Sequence, residues 1–378
     1  MASTRSERLL SDTISWLRFP LMVGIVYLHH NVTGGVQKHG MQFVDAAPTW
    51  LAAFITFFSD VLVRVAIPLF FIMSGFLFFY YCDFSKSTYI NKLKRRTSSL
   101  LLPYISWNVI TTILALVALL PFGAKQVSSE QSIDISDLNY TISGFFYQFW
   151  DVTKGLFLEP YSGVDGIFPA NGVLWYVRDL LILALFSPVI YWLLKRAGYY
   201  LVYTLGLAWV ILEPVNLGHG SQLLSGLFFF SWGGVKGMNK VNFVEQYKQY
   251  KWIPVIYFVI AIFDAFTKDF SFSPYIHELG CLVGIVAIVN ISARLMEKNI
   301  VKVHPLLSGS SFIILAMHSR VKGYLSFFMI KIMCINSPIY LLIYYIVIPL
   351  ATVAICVCIY AFIKKFTPFL LKPLTGGR

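Results

Sequence analysis

The stretch Trp16-Leu17-Arg18-Phe19-Pro20-Leu21-Met22-Val23-Gly24-Ile25-Val26-Tyr27-Leu28-His29-His30 decides the fold. It is apolar or aromatic apart from Arg18 and the two histidines. Runs of this kind recur along the chain as far as Ile363. A run of about 20 such residues can cross a bilayer as a helix, and helices satisfy their own backbone in lipid. About ten spans are expected, at roughly 16–34, 62–82, 99–121, 173–194, 199–215, 221–238, 252–267, 275–294, 308–328 and 337–363. The predicted class is an all-α polytopic membrane protein, a single transmembrane domain over 1–378.

Composition points the same way. Of 378 residues, 57% are hydrophobic, 17% aromatic and 13% charged, and mean hydropathy is +0.70. Soluble domains carry roughly a quarter charged residues, so most soluble enzymes and all disordered classes are excluded. No Walker motif, dinucleotide fingerprint or metal-ligand cluster is present, and no internal repeat of convincing period is seen. The five cysteines (Cys82, Cys281, Cys334, Cys356, Cys358) lie in or beside apolar segments, without metal or disulfide spacing. Arg5 and Arg8 before Trp16 read as the flank of a retained first helix rather than of a cleaved leader.

The net charge of +12 is read as orientation, not as a nucleic-acid partner, because Lys and Arg accumulate in cytoplasmic loops. With both termini inside, 21 of the 30 basic residues fall on the cytoplasmic side. They include a basic loop over about 83–98 with Lys86, Lys92, Lys94, Arg95 and Arg96. The polar insertion at about 122–172 then lies outside, with Glu130, Asp134, Asp137, Asp151, Glu159 and Asp165 against Lys125 and Lys154. Its run Phe145–Trp150 suits the membrane interface, as does Trp50–Arg64. Pro68, Pro103, Pro188 and Pro214 sit at or inside spans, where neighbours can satisfy the freed backbone.

Ionisable groups inside a span are costly and mark functional candidates. Arg18 and His29 are eleven residues apart, roughly 20° past three helical turns and about 16 Å along the axis. They therefore share one face, while His30 points about 100° away. An arginine holds phosphate bidentately and a histidine moves protons near neutral pH, which fits an anionic donor meeting a base. The alternative is a snorkelling anchor and an interfacial histidine.

The chain resembles the acyltransferase 3 family of integral membrane acyltransferases. The resemblance rests on Arg18-x10-His29, on Pro68-Leu69-Phe70-Phe71-Ile72-Met73-Ser74-Gly75-Phe76, and on Lys94-Arg95-Arg96 followed by Leu101-Leu102-Pro103-Tyr104 and Trp107. It rests further on Asn171-Gly172-Val173-Leu174-Trp175-Tyr176-Val177-Arg178 and on Leu315-Ala316-Met317-His318. These blocks run from about Trp16 to Phe362 in family order. The family's basic Arg-x-x-Arg is half filled: Arg96 takes the first place, Ser99 occupies the second, and Lys92 or Arg95 is the candidate substitute. The chain looks most like the short bacterial surface-polysaccharide O-acetyltransferases.

That resemblance implies a bacterial cytoplasmic membrane and an acyl-CoA donor, most commonly acetyl-CoA, as co-substrate without a permanently bound cofactor. The acceptor is a hydroxyl of a cell-surface or lipid-linked glycan. His29 and Arg18 are the implied catalytic pair, and Arg18 with Lys92, Lys94, Arg95 and Arg96 would hold the donor. Arg64, Ser74, Asn171, Trp175, Arg178 and His318 are the substrate-side candidates. Each has a plainer reading: helix packing at Ser74-Gly75, an ion pair of Arg64 with Asp60, an interface anchor at Trp175, a surface position for His318. Arg178 needs a partner, and His277-Glu278 is taken as structural. A transporter or flippase for a glycan or amphiphile is the competing class, and a succinyl or longer acyl group is a variant of the first.

Overall fold

The computed structural model describes residues 5–34, 36–38, 41–44, 47–80, 84–118, 141–156, 166–212, 219–332 and 337–377. Cys82, Lys125, Glu130, Asp134, Asp137, Glu159, Asp165, Pro214 and Cys334 lie outside the described residues. Apart from a short antiparallel hairpin, Val36–Lys38 with Met41–Val44, the described architecture is helical.

The first helix, α1 (Arg5–Leu28), carries Pro20 inside it. Next comes one continuous stretch from Thr49 to Phe79, made of α2 (Thr49–Thr56), a π-helical turn (Phe57–Val61), a 3-10 turn (Leu62–Val65) and α3 (Ala66–Phe79). The segment Trp50–Arg64, expected to rest at the interface, is thus the first half of a 31-residue helical stretch. The basic segment expected as a loop is also helical: Ser85 caps α4 (Lys86–Arg96) by accepting from Thr88 N. A π-helical turn (Thr97–Leu101) then leads into α5 (Leu102–Ala118). After the short α6 (Ile142–Tyr147), α7 (Trp175–Leu185) and α8 (Ser187–Ala197) meet at a 66° bend. Pro188 in the first turn of α8 lacks the N–H that would continue α7.

The second half consists of α9 (Tyr199–Leu212), α10 (His219–Met238), α11 (Phe243–Lys248), α12 (Ile253–Phe266) and α13 (Ser273–Glu297). It ends with α14 (Pro305–Ile332), α15 (Pro338–Phe366) and α16 (Leu371–Thr375). Six stretches are long and apolar enough to cross a membrane, or seven if the bent α7–α8 pair is one span. The remaining expected spans are helical too, but α9 and α12 have only 14 residues each.

Helix α3 is apolar on every side, as suits a membrane span, and most of its residues are buried inside the bundle. It packs on α10 through small residues. A Cβ at Gly75 would come 2.0 Å from the Phe230 carbonyl oxygen, and one at Gly233 would come 1.9 Å from that of Ile72. Gly75 is therefore a packing residue. Its neighbour Ser74 faces another way, toward α1 and α14.

Candidate functional site

Three adjoining spaces line up along α1. At its middle, Arg18 faces a cavity of about 110 Å³ bounded also by Ser74, Arg96, Tyr176, Ser311 and Leu315. Toward the N-terminal end of α1 this cavity continues into an opening of about 340 Å³, shared through Ile14, Arg18 and Leu77 and lined further by Glu7, Ser11, Ser15, Phe76 and Tyr80. Beyond its C-terminal end, His29 lines a third space of about 410 Å³ with Phe168, Asn171, Trp175, Ala316, Ser319 and Arg320.

The cavity at Arg18 has a basic wall. Two half-buried guanidiniums, Arg18 and Arg96, line it and no aspartate or glutamate does. Neither forms an ion pair among the described residues. A pair of like charges in partly desolvated surroundings is costly unless an anion joins it. Helix α4 explains which basic residues take part. Lys92 and Arg96 are four apart and share a face, with the Lys92 ammonium 5.3 Å and the Arg96 guanidinium 5.6 Å from the Phe78 ring centre. Lys92 also donates to the Phe78 carbonyl oxygen. Lys94 and Arg95 point outward and are exposed. Of the four basic residues expected on the donor, the fold thus brings Arg96 to Arg18, sets Lys92 beside it, and leaves Lys94 and Arg95 outside.

His29 stands one residue past α1, its amide still bonded to the Ile25 carbonyl at 3.2 Å. Lys322 donates to its backbone carbonyl oxygen, a cation at a helix C-terminus. The His29 ring is exposed to the third space, and behind it lies His318, ring centres 5.3 Å apart. His30 turns the other way, buried with its ring 5.1 Å from that of Tyr344.

The other substrate-side candidates divide. Trp175, at the start of α7, lines the His29 space. Asn171 lines it as well, but its side chain is committed: Nδ2 donates to the Ala316 carbonyl at 2.9 Å, and its amide N donates to Asn108 Oδ1 at 2.9 Å. Ser74 belongs to the Arg18 cavity, not to the His29 space. His318 is fully buried and lines neither.

Arg178 is a structural latch. It is 97% buried from solvent by its 3% exposure, pairs with Asp179 Oδ1 at 3.1 Å, and donates from Nη1 to the carbonyls of Trp150 and Ile167 at 2.9 Å each. The partner that an intramembrane arginine needs was the next residue in the sequence. This latch ties the segment around α6 to α7.

Arg64 does not pair with Asp60 but donates from Nε to His277 Nε2 at 3.1 Å. His277 Nδ1 lies 2.6 Å from Asp264 Oδ2, and Lys268 meets the other carboxylate oxygen at 2.7 Å. Because Nε2 accepts from arginine, Nδ1 carries the proton and donates to Asp264. Asp60 instead accepts from Asn31 Nδ2 at 2.8 Å. Sequence reading missed this network, although Asp264 within an apolar run was a signal that a partner exists.

The profile of a family described as "Acyltransferase domain" matches residues 12–361, nearly the whole chain. Comparison with curated proteins and with solved structures gives no match. A helical membrane bundle, the motifs in order and a profile that covers Arg18, His29 and the other candidate site residues lead to one assignment: the chain belongs to the acyltransferase 3 family and is a membrane acyltransferase.

Proposed function

We propose that the protein moves an acetyl group from cytoplasmic acetyl-CoA to a hydroxyl of a cell-surface or lipid-linked glycan. On this reading it lies in a bacterial cytoplasmic membrane, with ten helical passages and both termini inside. The observation that supports it most is the division of labour along α1: Arg18 in a carboxylate-free cavity with Arg96, and His29 in a separate space beyond the far end of the helix.

The donor enters beside the N-terminal half of α1, and its phosphates meet Arg18 and Arg96, with Lys92 behind. Arginine suits this task because its planar fork matches phosphate geometry. The acceptor sugar occupies the His29 space against Trp175, whose ring offers a stacking face. His29 takes the proton of the acceptor hydroxyl as its oxygen attacks the thioester carbonyl. The new C–O bond forms, the C–S bond breaks, and the proton passes from His29 to the leaving thiolate. An acyl-imidazole formed on His29 and then handed to the acceptor uses the same residues.

Purified protein in nanodiscs, given acetyl-CoA labelled in the acetyl group and candidate glycans, tests the reading. Label should enter the glycan as an alkali-labile ester with matching release of CoA, and His29→Ala should abolish it. A glycan that crosses the membrane unlabelled, without CoA release, would replace acyl transfer with transport.

A further inference from the structure

His318 lies on α14, where Ala316, Ser319 and Arg320 form the face that lines the His29 space. At about 100° per residue, His318 stands off that face, and it is fully buried. Its ring is tilted 32° to that of His29, with 5.3 Å between centres. Its Nδ1 is 2.9 Å from the carbonyl oxygens of both Ile314 and Leu315. Carbonyls only accept, so Nδ1 holds the ring proton and Nε2 is the lone-pair nitrogen. That Nε2 is buried and has no hydrogen-bond partner among the described residues. A buried acceptor left unpaired is costly and calls for a reason.

We propose that His318 is a positioning residue for His29: its Nε2 accepts the N–H of one His29 ring nitrogen and so directs the other nitrogen, with its lone pair, into the space where the acceptor hydroxyl arrives. At 5.3 Å between ring centres, side-chain rotation brings the two edges within an N–H···N contact of about 3 Å. The inference rests on His29 being the base of the proposed reaction.

The backbone anchor is what makes His318 useful. Its Nδ1–H is held by two carbonyls, so it cannot switch tautomer without losing both contacts, and the nitrogen facing His29 stays an acceptor. When His29 takes the hydroxyl proton it becomes imidazolium, and His318 shares the N–H on its inner edge. When the thiolate leaves, the same proton that came from the hydroxyl is returned to it, and both rings end neutral. Around this pair lie cations from several elements: Lys322 on the His29 carbonyl, Arg320 in the lining, and Arg64 from the 3-10 turn. They oppose a positive charge on His29, whereas a neutral acceptor stabilises it without adding another.

The test uses the full-length protein in nanodiscs with ¹⁵N-labelled histidine. In the wild type, His29 should show one fixed tautomer with a hydrogen-bonded N–H; an averaged, freely exchanging imidazole overturns the proposal without any variant. In His318→Leu, which removes the acceptor, the His29 tautomer should become mixed. In that variant kcat should fall on the order of 10²-fold, with the KM values for donor and acceptor within about twofold of wild type. His318→Gln, whose amide oxygen can accept, should restore the fixed tautomer and part of the rate. An unchanged kcat with a raised acceptor KM would make His318 a substrate contact instead. The spectra do not depend on turnover, so absence of acetyl transfer in the wild type would overturn the proposed function while leaving the His29–His318 contact to be judged on its own.

Discussion

Arg18→Ala and Arg96→Ala have opposite expected effects on the free and the donor-bound protein. The two guanidiniums line one cavity that has no carboxylate in its wall, so removing either relieves like-charge repulsion and should raise the melting temperature without donor. With donor the sign reverses. A hydrogen-bonded charged contact contributes about 1.5–3 kcal/mol, so losing Arg18 should weaken acetyl-CoA binding by roughly 10- to 150-fold. At a donor concentration of about 100 times the wild-type Kd, bound ligand stabilises by about 2.7 kcal/mol. A variant weakened about 100-fold keeps only about 0.4 kcal/mol of that. Arg18→Lys retains the charge but loses the fork, and should still cost about tenfold if one of two contacts goes. Because the two arginines share one ligand group, the double variant should depart from additivity by about 0.5–3 kcal/mol. Thermal unfolding in detergent with and without acetyl-CoA, alongside equilibrium binding of the labelled donor, reads all of this. An Arg18→Ala protein with wild-type donor affinity would return Arg18 to a topology anchor and refute the reasoning.

His29→Ala should abolish transfer while His30→Ala keeps substantial activity, measured as label in the glycan, because His30 is packed against Tyr344 and Tyr345; an essential His30 beside a dispensable His29 sinks the face argument. Arg178→Ala leaves Asp179 buried without its cation, a change that costs about 3–5 kcal/mol, and should appear as lost thermal stability rather than a selective rise in KM. Single cysteines replacing the exposed Lys94 and Ser143, in a cysteine-free background, should label from outside intact cells at 143 and not at 94. The reverse pattern would invert the topology.

Length and hydropathy made the helices legible, since about 20 apolar residues in a row have few other options. What those signals miss is helix continuity. The basic segment is polar, so it was expected as a loop, yet it is helix α4 joined to α5 by a π-helical turn. Had 86–96 been taken as a helix, the four-residue spacing of Lys92 and Arg96 would have separated them from Lys94 and Arg95. Arg178 shows the converse: its need for a partner was plain from its position inside an apolar run, and the partner was Asp179. The Arg64–His277–Asp264 network joins the consecutive helices α12 and α13 to a 3-10 turn some two hundred positions earlier, His277 and Arg64 being 213 residues apart. Nothing local links those residues, because their pairing exists only once the 3-10 turn, α12 and α13 are packed.

Cavity size constrains how a donor can lie on α1. A space of about 110 Å³ at Arg18 is well below the roughly 300–1,000 Å³ that holds a whole ligand. On the proposed function, the nucleotide would occupy the larger opening beside Ser11 and Tyr80 with its phosphates reaching the shared Arg18, and only a narrow arm would run farther in. Two helices border both this cavity and the His29 space. Tyr176 and Leu315 border the cavity, while their immediate neighbours Trp175 and Ala316 border the His29 space. Consecutive helical residues point about 100° apart, so α7 and α14 each send neighbouring side chains to both spaces. On the proposed function, the cation Arg18 and the neutral base His29 stand about 16 Å apart along the C-terminal half of α1, so the acyl group has to pass beside that half-helix, between the two spaces that α7 and α14 both border.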